Sequence, residues 1–463
     1  MADGQLRVLS TGLVQAAEQR RHTAEAERIP LTPCDLRFIL LGPIQKGILF
    51  RKPTTGPTDG RTTFIIQALK SSFSRALASF YPFAGRLSVD KHADADGGRT
   101  ASVYIDCNNN AGALFVHAAA DGVSVADVLE PLYVPPVLWS FFPLNWMRNH
   151  HGFSEPLLAV QVTELVDGFF IGCTINHVVA DGATFWRFMN FWSGICRSGD
   201  GSGGYSAEMM NGSDKSQVFS RQCRFSWMVV GNLEQEVIPP QHLKERVFHF
   251  SREKLAALKA QANAESAAAA GGGSQISSLQ SLISHIWRAV FRNRSNNPDP
   301  DRDRKFLLFF GFRSRLQPRV LEDYFGNALV SQSVVLKESE LLVAEKGLGR
   351  VAAAVNRVVA EQTDEKLKEA MESWIENPKF LKIGELEEGL MLLGSSPRYD
   401  VYGNDFGWGK PVAVRSGAGN KFDGKVTVYP GVEAGSMDVE ICLLPETAER
   451  LGRDLEFMAA VGV

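Results

Sequence analysis

The sequence predicts an α/β protein in which mixed β-sheets are flanked by helices and divided between two domains. Three observations carry this expectation. Strand-like and helical patterns alternate irregularly in both halves, and tight hairpins occur beside long crossovers, unlike the regular alternation of a doubly wound sheet. The stretch Ser198-Gly199-Asp200-Gly201-Ser202-Gly203-Gly204 has linker composition. The length, 463 residues, accommodates two or three domains. The expected division is residues 1–198, a crossover linker at 199–222, and residues 223–463.

The elements follow in order. Phe38-Ile39-Leu40-Leu41 and Gly47-Ile48-Leu49-Phe50 read as two short strands separated by a Gly-Pro turn. Phe64, Ile65, Ala68, Leu69, Phe73, Ala76, Leu77 and Phe80 recur at helical spacing across 62–80, and Pro82 stops that helix. The segment 81–87 turns the chain into a strand, 94–98 is a polar loop, and Ser102-Val103-Tyr104-Ile105 is a further strand. Residues 134–143 are too proline-rich for regular structure. Residues 157–165 and 168–176 form strands joined by a tight Val166-Asp167-Gly168 connection, and 183–196 is a helix. In the second half, 251–264, 276–291 and 343–361 read as helices, the last continuing in broken form to 375, with a strand at 306–312. Ala267 to Gly273 reads as a low-complexity surface loop; its glycines lack the spacing of a phosphate cradle. Short strands occupy the region after Leu390, and a single helix over 446–460 follows Pro445.

Composition narrows the function. A formal net charge of −3 supplies no basic field for nucleic acid or an anionic membrane, so small molecules are the expected partners. The 6 cysteines are scattered without a Cys-x-x-Cys pair and read as reduced structural thiols of an intracellular protein. No signal pattern opens the chain and no apolar stretch reaches bilayer length, so the expectation is a cytoplasmic protein without a membrane span.

The candidate chemistry gathers after the apolar run 169–175. That strand ends at His177, and Asp181 stands where its carboxylate can cap the helix starting near Gly182. A histidine at a strand end can reach into a cleft while the sheet holds its backbone, and imidazole suits a general base. Two readings stay open: a catalytic base, or a packed and hydrogen-bonded core histidine. Asp181 reads equally as a helix cap or as the buried partner of an arginine. A metal site at His177 and Asp181 lacks a nearby third ligand, so none is expected. His150-His151 reads as a solvated loop pair, and Phe141-Phe142 as packing.

These residues also carry a resemblance. His177-Val178-Val179-Ala180-Asp181-Gly182 together with Asp405-Phe406-Gly407-Trp408-Gly409 resembles the plant BAHD acyltransferases, which use coenzyme A thioesters. Tyr81-Pro82-Phe83-Ala84-Gly85-Arg86, the helix opening at Ser277-Ser278, Arg313-Ser314-Arg315-Leu316 and Tyr324-Phe325-Gly326-Asn327 extend it over nearly the whole chain. The resemblance implies two chloramphenicol-acetyltransferase-like domains with a channel between them, entered by acyl-coenzyme A from one face and the acceptor from the other. It implies a monomer without a permanently bound cofactor. His177 would be the general base, Asp181 would pair with Arg313, and Asp405 and Trp408 would shape the fold. Ser277 and Ser278 would either meet the coenzyme at a helix N-terminus or cap that helix.

Two departures bear on the substrate. Hydroxycinnamoyl transferases acting on shikimate or quinate carry Thr-Ser-Trp where this chain has Gly394-Ser395-Ser396, and malonyl-type members often carry Cys where it has Ala328. The stretch 395–404 resembles a branch that includes a lyase acting on an isochorismate–glutamate conjugate in salicylate formation. The expected activity is acyl transfer to a hydroxyl or amine of a specialised metabolite; the alternative is such a lyase, working without coenzyme A.

Overall fold

The computed structural model describes residues 6–17, 28–52, 61–93, 99–199, 225–226, 242–270, 275–294, 299–320 and 323–462. The expected linker at 199–222, the polar loop 94–98 and the glycines 271–273 therefore lie outside the described residues, apart from Gly199.

The strands are β1 (Leu6–Val14), β2 (Arg28–Pro30), β3 (Ile44–Arg51), β4 (Arg86–Ala93), β5 (Arg99–Asp106), β6 (Ala113–Ala120), β7 (Leu158–Glu164), β8 (Gly168–Ile175), β9 (Phe225–Ser226), β10 (Lys244–Phe250), β11 (Asp303–Gly311), β12 (Leu329–Lys337), β13 (Met391–Gly394), β14 (Ala413–Ser416), β15 (Lys425–Pro430) and β16 (Met437–Leu443). Two six-stranded sheets organise the molecule, in the orders β1-β6-β7-β8-β3-β14 and β10-β16-β15-β13-β11-β12. A smaller four-stranded sheet holds β2, β5, β4 and β9. Both large sheets are mixed: β6 runs parallel to β7, and β13 runs parallel to β11 and β15, among otherwise antiparallel pairs.

In the first large sheet β7 and β8 are covered on both faces, so β8 is almost wholly apolar, and the buried Gln161 and Thr163 of β7 satisfy each other through a hydrogen bond at 3.0 Å. The helices Arg61–Ser79 and Gly182–Ser198 pack together along their apolar stripes. Phe73 meets Trp192 edge-on at 5.2 Å, and the Trp192 indole donates to Leu69 O and Ser72 Oγ, which satisfies its buried N–H. Around the second sheet, the helices Arg252–Ala270, Ser278–Arg294 and Gly347–Ala360 pack against one another over a separate apolar core. One strand breaks this division: β14, from the second half of the chain, pairs with β3 and completes the edge of the first sheet.

Several sequence expectations are corrected. Residues 38–41 form turns, not a strand. Thr32 and Asp35 close a reciprocal cap around the short helix Pro33–Leu36, and Phe38, Ile39 and Leu41 continue with N–H groups bonded three residues back. Within 134–143, Pro136–Phe141 forms a short 3₁₀ helix, since Pro135 and Pro136 sit at its start where no N–H is needed. The helix from Arg252 runs through Ala270, because alanine continues a helix better than any other residue. The closing helix is two, Pro445–Leu451 and Leu455–Ala460, the second capped by Asp454 accepting from Phe457 N. His150 is buried, its N–H donating to Ile39 O. Among the described residues no helix is long and apolar enough to cross a membrane.

Candidate active site

Strand β8 ends at Ile175, and the next residues leave the sheet in a turn whose backbone is held by asparagines. Asn176 turns back to cap its own turn, accepting from Val178 N at 3.1 Å, and donates to Asn149 O at 2.6 Å. The His177 N–H donates to Asn149 Oδ1 at 2.8 Å, and the His177 carbonyl accepts from Asn327 Nδ2 at 2.7 Å. Asn327 is itself tied to Asp35, which accepts from both its backbone and side-chain nitrogens. The imidazole stacks on Phe38, with centroids 4.2 Å apart and planes 12° from parallel. Backbone and ring are thus fixed from three separate parts of the chain, as a general base requires for reproducible reach.

Asp181 is fully buried at the N-cap of Gly182–Ser198 and accepts from Thr184 N at 3.0 Å. Arg313 donates to both of its oxygens, at 2.6 and 3.1 Å, and Ala328 N adds a further bond at 3.1 Å. Burial alone would raise the carboxyl pKa, but the guanidinium and these donors more than offset it and hold it below the usual range. Both readings of Asp181, cap and arginine partner, hold at once. The pair also crosses between the halves of the chain.

His177 opens onto a cavity of about 940 Å³. Phe38, Lys46, Ser277, Ser278, Arg313 and Tyr399 also line it, with Lys421 from the loop before β15 and Lys425 at the start of β15. Burial takes the His177 pKa down to about 4 against the opposing pull of main-chain acceptors and Asp181, so the resting ring is neutral. With Nδ1 buried, Nε2 is the nitrogen left to face the cavity.

Ser277 caps Ser278–Arg294 through a reciprocal pair: Gln280 N donates to Ser277 Oγ, and Ser277 N donates to Gln280 Oε1. Both Ser277 and Ser278 nonetheless line the cavity. Asp405 and Trp408 lie elsewhere. Asp405 Oδ1 accepts from Gly407 N and Gly409 N to close its own turn, and Arg197 lies 3.7 Å from its other oxygen. Trp408 stacks on Phe169 at 5.3 Å, and Phe406 meets Trp192 at 4.8 Å, so this loop covers the first sheet. Neither residue lines the cavity. Phe141 and Phe142 pack on Phe170, away from it.

Sequence reasoning missed Phe38 and Asn149, whose contacts with His177 span long stretches of chain and leave no local spacing to detect. It also missed the lysines. Lys46 donates to Tyr429 OH at 2.7 Å, and its pKa is lowered to about 7 by burial. Lys425 is lowered to about 8, again by burial. Lys421 is drawn between Glu245 and Glu440, which raise its pKa despite its burial.

Comparison with known proteins bears on these observations. A model of the Transferase family matches residues 6–458. Among curated relatives, an uncharacterized acetyltransferase of Arabidopsis thaliana is 37% identical over 94% of this chain and 95% of its own length. The A. thaliana protein Enhanced Pseudomonas Susceptibility 1 is 35% identical over 99% of each chain, and the A. thaliana BAHD acyltransferase DCR is 31% identical over 92% of this chain and 88% of its own. Two solved structures share the fold. Vinorine synthase has a TM-score of 0.72 at 20% identity, covering 99% of this chain and 98% of its own. The F. sporotrichioides protein TRI101, complexed with coenzyme A and T-2, has a TM-score of 0.73 at 18% identity, covering 93% and 98%.

Proposed function

We propose that this chain, which belongs to the Transferase family and is a BAHD acyltransferase, moves an acyl group from a coenzyme A thioester to a hydroxyl or amine of a small plant metabolite. The observation that carries the reading is a neutral, rigidly held His177 facing a large cavity. Its Nε2 takes the proton of the acceptor as the oxygen or nitrogen attacks the thioester carbonyl. The tetrahedral intermediate collapses by expelling the coenzyme thiolate, which receives a proton; thiolate leaves readily, so no covalent enzyme intermediate is needed. Proton transfer of this kind contributes about a hundred- to ten-thousand-fold, and positioning in the cavity supplies much of the rest. The Asp181–Arg313 pair acts through structure, by fixing the turn that presents His177. The helix start at Ser277 and Ser278 lies inside the cavity and offers the coenzyme its dipole and the Ser278 N–H, the Ser277 N–H being taken by Gln280. Asp405 and Trp408 serve the fold.

The test is thiol release from a panel of acyl-coenzyme A donors offered mixed alcohols and amines, comparing the native protein with His177→Ala. Acceptor-dependent release that disappears in the variant supports the reading; release that persists in it overturns His177 as the base. A second reading, a lyase acting on an isochorismate–glutamate-type conjugate, uses the same cavity, where cationic Lys46 and Lys425 suit a multiply anionic substrate. It predicts turnover without coenzyme A.

A further inference from the structure

One group of side chains in the cavity has no part in the acyl transfer above. Lys46 on β3, the strand beside β8, Lys421, and Lys425 on β15 all line the cavity, and Glu245 and Glu440 interact with them. Lys421 bonds both glutamates and Ser416 Oγ, and Ser416 also donates to Glu440 through its hydroxyl and backbone N–H. Lys421 and Ser416 thus occupy Glu440, and Lys421 takes one oxygen of Glu245, whose other oxygen is buried without a hydrogen bond among the described residues. Among the described residues Lys46 hydrogen-bonds the Tyr429 hydroxyl and lies over its ring, with Glu440 and Glu245 near enough to favour its charge. Lys425 has no hydrogen bond or ion pair among the described residues. Lys425 lines the cavity without a hydrogen-bond partner among the described residues, and the lowered pKa values of Lys46 and Lys425 reflect the cost of holding charge there, which an anion entering the cavity offsets.

The backbone makes room for this. A Cβ at Gly394 would stand 3.0 Å from Lys425 Nζ and 3.1 Å from its Cε, so the ammonium occupies the space that a side chain at position 394 would take. Lys425 and His177 line the same cavity, so one bound molecule can meet both.

We propose that Lys425 and Lys46 form a carboxylate-binding subsite, so that a reactant placed against His177 carries a carboxylate away from its reacting atom. The assignment of that carboxylate to a reactant rests on the acyl-transfer reading; the binding itself does not. The bound anion offsets the cost of holding charge on these lysines, and their lowered pKa values rise when it enters, so both ammonium groups donate to it.

The probes are 3-hydroxybenzoate and 3-hydroxybenzamide, which share an acceptor hydroxyl and differ in charge, with malonyl- and acetyl-coenzyme A as a second pair. Dissociation constants are measured by calorimetry on the native protein, Lys425→Met and Lys425→Arg. The expected result is that the native protein favours the benzoate over the benzamide, that Lys425→Met weakens the benzoate about tenfold or more, and that Lys425→Arg restores part of the loss. Benzamide affinity stays level throughout. If the charge preference appears only between malonyl- and acetyl-coenzyme A and vanishes in Lys425→Met, the subsite holds and the carboxylate belongs to the acyl group. Equal native affinity for acid and amide in both pairs, or benzoate binding untouched by Lys425→Met, overturns the proposal. Acetyl-coenzyme A binding reports separately: its loss in the native protein refutes acyl transfer and leaves the benzoate contrast to decide the subsite. Its retention in Lys425→Met shows that the variant is folded.

Discussion

Asp181→Asn deletes the negative charge facing Arg313 while keeping the shape of the side chain. In the native protein the carboxylate takes two bonds from Arg313, one from Thr184 N and one from Ala328 N. The side chains are 1% and 11% exposed, so little water is present to replace a lost partner. Beyond Asp181, the guanidinium's hydrogen bonds among the described residues go to Thr184 Oγ1, Tyr324 O and Gly326 O, each at a long 3.4 Å, and it lies over the Tyr324 ring at 5.7 Å. Removing one partner of such a pair leaves a buried, uncompensated charge, at a cost of about 3–5 kcal/mol. Arg313→Gln strands the carboxylate instead, but Asp181 keeps its two backbone donors, so the loss belongs at the lower end of that range. The pair ties the 182–198 helix to the loop before β12, so the loss should appear as earlier urea unfolding and as weakened positioning of His177. The assay is a double-mutant cycle read by urea midpoints and by thiol-release rates. The double variant should be more stable than the sum of the single losses implies, by about 1–3 kcal/mol. A loss below about 1 kcal/mol in Asp181→Asn, or simple additivity in the double variant, would refute the argument that the pair is a coupled, desolvated tie.

Other outcomes follow from the same geometry. His177→Ala should keep the fold and lower kcat by about a hundred- to ten-thousand-fold, measured as acceptor-dependent thiol release. With the His177 pKa near 4, the acid limb of kcat/KM should fall only as pH drops toward 4; an acid limb that falls near 6.5 and persists in Lys425→Met would contradict burial as the dominant influence. His150, His177 and His285 are all lowered to about 4, each chiefly by burial. The unfolded chain therefore binds more protons than the folded one below about 6.5, and urea midpoints should fall from there toward pH 4. Asn327→Ala removes donors to the His177 carbonyl and to Asp35 and should lower kcat more than it raises KM. Trp408→Ala should cost about 2 kcal/mol of stability through its lost stacking on Phe169, leaving KM unchanged.

How much of this was legible depends on the range of the contacts involved. The β7–β8 hairpin and the helix after Asp181 were readable because periodicity and a cap are local signals. The arginine partner of Asp181 came only from the resemblance, since nothing between positions 181 and 313 records their contact. The run 38–41 was misread because four apolar residues suit a strand, and only the distant cap at Thr32 and Asp35 decides otherwise. Its misreading concealed Phe38, whose ring supports His177. Lysines ordinarily imply a solvated face. On β15 the alternation of Lys425, Thr427 and Tyr429 does mark one face, but only the assembled sheet shows that this face borders a cavity.

Strand β14 gives the chain's order along the sequence a mechanical meaning. Residues 413–416 lie in the second half of the chain, yet they pair with β3 from residues 46–49. Ser416, at the end of that strand, is bonded to Glu440 on β16 of the other large sheet. The second half thus reaches back and fastens onto the first like a clasp. A fragment ending near residue 198 would leave β3 with a raw, unpaired margin, inviting association with any extended segment it met. The complementary fragment would carry a sticky four-residue tongue with nowhere to dock. Two such fragments, made separately and mixed, should recover a functional molecule only by closing this clasp.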